Sequence, residues 1–218
     1  MTTPIIVFAK APRPGAVKTR LIPALGAAGA ARLHERLVER TLATAAAAGV
    51  GPLELCVDPA SDPFLAARAA AYGATLTGQG PGDLGARMHR AFERALAGAS
   101  AAILVGADCP ALTLEYLREA RDGLASGYDV VIGPAADGGY VLIGLRHVDS
   151  SLFERIRWGG PEVLEDTRTR FGALGWRWRE LDTLWDIDRP EDLERLRNGI
   201  LDGDRLLQGL SDIVPKRR

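Results

Sequence analysis

The chain has 218 residues, 47% of them hydrophobic and 25% charged, with a formal net charge of −1. That is enough apolar content for one sizeable core, and the overall charge gives no reason to expect a nucleic-acid partner. Its two cysteines, Cys56 and Cys109, fit no zinc spacing and make a poor disulfide framework, and its apolar runs are too short for a bilayer, so a cytoplasmic protein without a membrane partner is expected.

In chain order, the apolar run at residues 5–9 predicts a buried strand. It is followed by KAPRPGAVKTR at residues 10–20, where Pro12, Pro14 and Gly15 forbid a helix or a continued strand. The first thirty-four residues carry Lys10, Arg13, Lys18, Arg20 and Arg32 and no acid, a local excess that calls for an anionic ligand, with phosphate as the fit for a rigid loop after a strand. Helical period then runs over residues 27–48, with Leu33, Leu37, Val38, Thr41, Leu42 and Ala45 on one stripe, and Gly49 closes it. A strand at 53–57, a helix at 63–72 and a weak strand at 74–77 lead to a glycine-rich loop and a helix at 84–96 that ends at Gly98. A strand at 101–105 precedes a helix capped by Thr113, with Glu115 in its first turn. Strands at 130–133 and 140–145, a helix at 161–171, a strand at 176–181 and a helix at 190–197 complete the pattern. This alternation predicts an α/β fold with a parallel sheet covered on both faces. Residues 1–198 read as a single domain and residues 199–218, without an apolar face, as a tail.

In such a sheet ligands sit beyond the carboxyl ends of the strands, so the residues directly after each apolar run matter most. One of those loops is basic, and three are acidic: Gly106-Ala107-Asp108-Cys109-Pro110, Pro134-Ala135-Ala136-Asp137-Gly138-Gly139 and Asp182-Thr183-Leu184-Trp185-Asp186-Ile187-Asp188. Acids beside cations suit a polyphosphate chelated to a divalent metal, the metal taking carboxylates and Lys or Arg taking the remaining oxygens. Asp108 and Asp188 are the expected metal ligands, and Asp186 fits the same role. Ala9, Lys10, Lys18 and Arg20 are expected to hold the nucleotide phosphates. The loop preceding the helix at 84–96 contains G-x-G-x-x-G, from which Gly82, Asp83 and Arg87 are expected to approach the base or ribose. Asp137 is expected to hold an acceptor hydroxyl or a second metal, and Gly138 and Gly139 to let substrate pack against backbone, with Trp158 at the border of the acceptor pocket. His34, His89 and His147 have no acid or serine partner in view and carry no predicted role.

The strings FAKAPRPGAVKTRL, QGPGDLGARM, GADCPAL, DGGYVLIG and DIDRPEDL together resemble the small glycosyltransferase-A-like proteins of the arsenosugar-biosynthesis glycosyltransferase type, within the nucleotide-diphospho-sugar transferase superfamily. The resemblance covers residues 4–197. It implies a Rossmann-like three-layer sandwich with a mostly parallel, mixed sheet, a nucleotide bound across the first half, Mg²⁺ or Mn²⁺ at Asp108, and a nucleotide donor with a small-molecule acceptor. A more distant similarity to 2-phospholactate and molybdenum-cofactor guanylyltransferases covers Lys10, Lys18 and Arg20. Classical glycosyltransferases of this fold carry Asp-x-Asp where this chain has Asp108-Cys109-Pro110. Three functions therefore stand side by side: a metal-dependent glycosyltransferase using an NDP-sugar, with Lys18 and Arg20 stabilising the leaving group and Asp137 assisting the acceptor; a nucleotidylyltransferase with a phosphorylated acceptor; and a nucleotide-binding module without turnover.

Overall fold

The computed structural model describes residues 2–197. The expected tail, from residue 199 onward, lies outside them. Strands β1 (Ile5–Lys10), β2 (Leu53–Asp58), β3 (Thr75–Gly78), β4 (Ala102–Gly106), β5 (Val130–Pro134), β6 (Tyr140–Leu145) and β7 (Trp178–Glu180) form one sheet in the order β3-β2-β1-β4-β6-β5-β7. All neighbouring pairs are parallel except those of β6, which runs antiparallel to both β4 and β5. The helices are α1 (Ile22–Ala48), α2 (Pro63–Ala71), α3 (Leu84–Leu96), α4 (Leu114–Ala125), α5 (Val163–Ala173) and α6 (Pro190–Arg197).

Alternation along β1 builds the layers. Ile5, Val7 and Ala9 join one apolar cluster with Val38 and Leu42 of α1, Leu65 of α2 and Leu117 of α4. Ile6 and Phe8 join the opposite cluster with Met88 and Phe92 of α3 and Phe171 of α5. Such fully enclosed side chains contribute about 1.5–3 kcal/mol each relative to exposure, which explains why β1 is apolar on both faces. The outer strand β7 is shorter than the run at 176–181 because it pairs with only Val130, Val131 and Ile132 of β5.

Two local departures shape the basic loop. Its end coils into a 3₁₀ turn at Thr19–Leu21, and α1 follows at once but breaks at Gly26, whose φ of 69° and ψ of 164° are non-helical. Regular helix therefore resumes at residue 27, as the periodicity predicts. A third apolar cluster, with Leu21, Leu33, Leu37, Trp185, Ile187, Leu193 and Leu196, ties this turn and α1 to the last loop and α6. No helix among the described residues is long and apolar enough to cross a membrane.

Candidate active site

The last loop is laced across the carboxyl ends of the strands. The Leu181 amide donates to the Ile132 carbonyl and the Leu184 amide to the Pro134 carbonyl, each at 2.9 Å, and the Ile187 amide donates to the Asp108 carbonyl at 3.1 Å. The Tyr116 hydroxyl donates to the Asp182 carbonyl at 2.7 Å, an approach open because Gly133 has no Cβ, which would stand 2.4 Å from that hydroxyl oxygen. This lacing brings Asp186 and Asp188 to the rim that already carries Asp108 and the β5–β6 turn.

Lys18 lies beneath that rim. It is buried and left-handed, with φ of 47° and ψ of 41°, a conformation that costs a non-glycine residue about 1 kcal/mol or more. Its ammonium donates to the Ile187 carbonyl at 2.6 Å and stands 3.0 Å from Asp108 Oδ1. It thereby links the basic loop, the loop after β4 and the last loop. His34 lies on the buried face of α1, where its Nε2 donates to the Lys10 carbonyl at 2.9 Å while Nδ1 faces Asp108 Oδ1 at 3.6 Å. Burial opposes ionisation of Asp108, yet the Lys18 ammonium and then His34 outweigh it and hold the carboxyl well below the usual carboxylate range. Half of the Asp108 side chain, 47%, remains exposed. Cys109 beside it is buried, which pushes its thiol up to about 12, so it offers no thiolate.

Two clefts open on this rim. The larger, of about 450 Å³, is lined by Ala9, Lys10, Lys18, Arg20, Asp108 and Asp188, with His34 and Gln79 in its wall. Arg20 bonds the Asp188 carboxylate, and both are partly exposed. The smaller, of about 180 Å³, is lined by Asp108, Asp137, Gly139, Tyr140, Trp158 and Asp186, among others. Asp108, Gly106 and Leu84 belong to both. Asp186 is partly buried, and that burial followed by the charge of Asp137 pushes its carboxyl up to about 6. Asp137 shapes the β5–β6 turn by accepting from the Gly139 amide at 2.9 Å. Gly138 is required there, since its φ is 91° and an added Cβ would stand 2.1 Å from the Pro161 carbonyl oxygen. Trp158 meets Tyr140 edge to face, ring centres 6.5 Å apart.

The structure thus brings together Lys10, Lys18, Arg20, Asp108 and Asp188 around one cleft, and Asp137, Gly139 and Trp158 around its neighbour. Gly82, Asp83 and Arg87 do not line the larger cleft. Asp83 caps α3 by accepting from the Ala86 amide at 2.9 Å, and Arg87 is held by Asp58 at 2.6 Å, the Gln79 side-chain oxygen at 3.2 Å and the Gly82 carbonyl at 2.9 Å. These contacts stiffen the glycine-rich loop and present Gln79, whose own amide donates to the Ala9 and Cys56 carbonyls at 3.2 Å each. His34 and Gln79 are the residues that sequence reasoning passed over. A histidine on the buried stripe of α1 was the available signal, since a polar ring there needs partners.

Among the described residues no group of three histidine, cysteine, aspartate or glutamate side chains converges to hold a metal ion. Asp108 has one buried oxygen without a hydrogen-bond partner, its neighbouring ammonium lying off the line of a hydrogen bond. One or two carboxylates facing a cationic cleft fit Mg²⁺ or Mn²⁺ that arrives with substrate phosphates, and do not fit a permanently caged ion.

No curated protein sequence matches the chain. Among solved structures, a protein from Desulfovibrio desulfuricans G20 described as a nucleotide-diphospho-sugar transferase superimposes with a TM-score of 0.86, at 31% identity over 98% of this chain and 97% of its own. A cytidylyltransferase from Leptospira borgpetersenii gives a TM-score of 0.61 at 13% identity, over 100% and 99% of the two chains. Glucosyl-3-phosphoglycerate synthase from Mycobacterium tuberculosis, in complex with Mn²⁺, UDP and glucosyl-3-phosphoglycerate, gives 0.53 at 14% identity over 99% and 81%. The last two share the fold. The profile of DUF2064, described as an uncharacterized protein conserved in bacteria, matches residues 41–160. The chain belongs to the DUF2064 family and carries the fold of the nucleotide-diphospho-sugar transferases and nucleotidyltransferases.

Proposed function

We propose that this protein is a metal-dependent glycosyltransferase that binds a nucleoside-diphosphate sugar in the larger cleft and an acceptor in the smaller one. The observation that carries this reading is that Asp108 lines both clefts, so a chelated diphosphate in one faces an acceptor group in the other. Lys10 and Arg20 contact phosphate oxygens, Arg20 exchanging its bond to Asp188 for the donor. Asp108 and Asp188 hold the Mg²⁺ or Mn²⁺. The metal, when bound, neutralises charge on the leaving nucleoside diphosphate.

Lys18 acts here from below. Its ammonium keeps Asp108 ionised and fixes its direction, which is the preorganisation that electrostatic catalysis needs. Asp137 accepts a hydrogen bond from the acceptor hydroxyl and orients it toward the donor carbon. The Ala9 and Gln79 wall borders the nucleoside. Mycobacterial glucosyl-3-phosphoglycerate synthase, which binds Mn²⁺ and UDP on the same fold, supports the donor class.

Nucleotidyl transfer is the second reading, favoured by the single acid in Asp108-Cys109-Pro110 and the cationic loop. Incubation with NDP-sugars and with NTPs in Mg²⁺ or Mn²⁺ separates the readings. Release of NDP supports sugar transfer, and pyrophosphate release with a phosphorylated acceptor replaces it by nucleotidyl transfer. Tight binding without turnover reduces the protein to a nucleotide-binding module.

A further inference from the structure

The smaller cleft combines acids with apolar walls. Asp108, Asp137 and Asp186 line it beside Leu84, Tyr140, Trp158 and Val163, and among the described residues lining it there is no lysine or arginine. Leu84 is one of the few large apolar side chains exposed to solvent, at 42%. The Trp158 indole is packed from two sides: Tyr140 meets it edge to face, and Gly85 makes room for it, since a Cβ there would stand 2.9 Å from the ring. Its Nε1 donor is buried without a hydrogen-bond partner.

Arginines do occur nearby, in an outer groove formed by Arg20, Arg189 and Arg195 with Asp137, Asp186, Asp188 and Asp192. The acids there outnumber the arginines. Arg20 is engaged by Asp188, and Arg195 lies 4.5 Å over the Trp185 ring. A phosphate or carboxylate entering from this side would meet four carboxylates, those of Asp137, Asp186, Asp188 and Asp192.

We propose that the smaller cleft is an acceptor subsite for an uncharged, hydroxyl-bearing molecule with an apolar face, and that it discriminates against phosphorylated acceptors. As an acceptor site it rests on the transferase reading above. The apolar face of the acceptor packs on Trp158, Leu84 and Val163, and hydroxyl protons are donated to Asp137 and Asp186. A phosphate on the same body brings like charges together in a partly desolvated cleft, which costs enough to weaken binding at least about tenfold.

The test uses the full chain with ¹⁵N-labelled tryptophan, observing the indole signal of Trp158 while 4-nitrophenyl β-D-glucopyranoside or its 6-phosphate is added. The expected result is that the neutral glycoside shifts this signal, that the phosphorylated one needs at least about tenfold more ligand, and that Asp137→Asn narrows the gap. Equal or stronger response to the 6-phosphate overturns the proposal, as does a Trp158 signal that neither probe moves. Calorimetry with UDP and Mn²⁺ on the same sample tests the donor site separately. Absent UDP binding with the glycoside preference intact refutes the donor reading while leaving the chemistry of this cleft standing.

Discussion

Replacing Lys18 by methionine keeps the stem and the left-handed backbone but removes the charge that joins three loops. The Ile187 carbonyl loses its 2.6 Å partner, which costs about 1–3 kcal/mol for a buried acceptor left unpaired. Asp108 loses its counter-ion at 3.0 Å. A fully buried pair broken in this way would cost about 3–5 kcal/mol, but with 47% of the Asp108 side chain exposed solvent screens most of it, and about 1 kcal/mol is the fitting share. The total is about 2–4 kcal/mol, which for a chain of this size lowers Tm by about 5–15 °C. Thermal melts at pH 7 followed by circular dichroism read the shift directly. Its pH dependence has a definite sign. The depressed folded pKa of Asp108 contributes stability that is present above the unfolded value of about 4 and is lost as pH falls through the folded value. The gap between wild type and Lys18→Met therefore narrows as the pH falls below about 4. A variant melting within about 1 °C of wild type at pH 7, or a gap constant down to strong acid, would refute the idea that Lys18 pins the site.

Asp108→Asn retains the fold but lowers metal-dependent turnover by about a hundredfold or more, the scale of a lost transition-state contact; unchanged turnover in steady-state assays contradicts its role. Arg20→Ala, an exposed pair partner, leaves Tm within a few degrees and weakens NDP-sugars more than free nucleosides by calorimetry, and equal weakening of both argues against phosphate contact. Asp186→Asn stabilises the metal-free protein at pH 8 more than at pH 4.5, because a carboxyl raised to about 6 holds its proton in the fold and penalises it as pH rises through that value; melts showing the opposite order would remove the Asp137–Asp186 repulsion from the account. Gly138→Ala forces a side chain onto the Pro161 carbonyl at a φ of 91°, and is expected to lower Tm by several degrees, whereas an unchanged melt would mean that the β5–β6 turn tolerates a shift.

The central strands were legible because β1, β4 and β5 are apolar on both faces, and the strand-end rule then pointed to loops that line the two clefts. Asp108 follows from that rule, Asp188 from its pairing with Asp108, and Lys10 and Arg20 from a cationic stretch without acids. The antiparallel direction of β6 follows from no local residue pattern, and the family resemblance implied a mixed sheet without saying which strand is reversed. Asp83, expected near the base or ribose, caps α3 by accepting from the Ala86 amide. Arg87, expected beside it, is bonded to Asp58, twenty-nine residues away in sequence and beyond the reach of local pattern. The work of Lys18 depends on a carbonyl 169 residues along the chain, and the placement of His34 on a loop folded over its helix; neither is encoded in local spacing.

The central claim is tested most directly by crystals of the protein grown with a UDP-sugar and Mn²⁺, reading the anomalous signal of the metal. The account predicts a metal within about 2.0–2.2 Å of the Asp108 carboxylate, the scale of a hard-cation oxygen bond, with the diphosphate between it and Arg20. A metal and nucleotide held elsewhere, with Asp108 still paired only to Lys18, would contradict it.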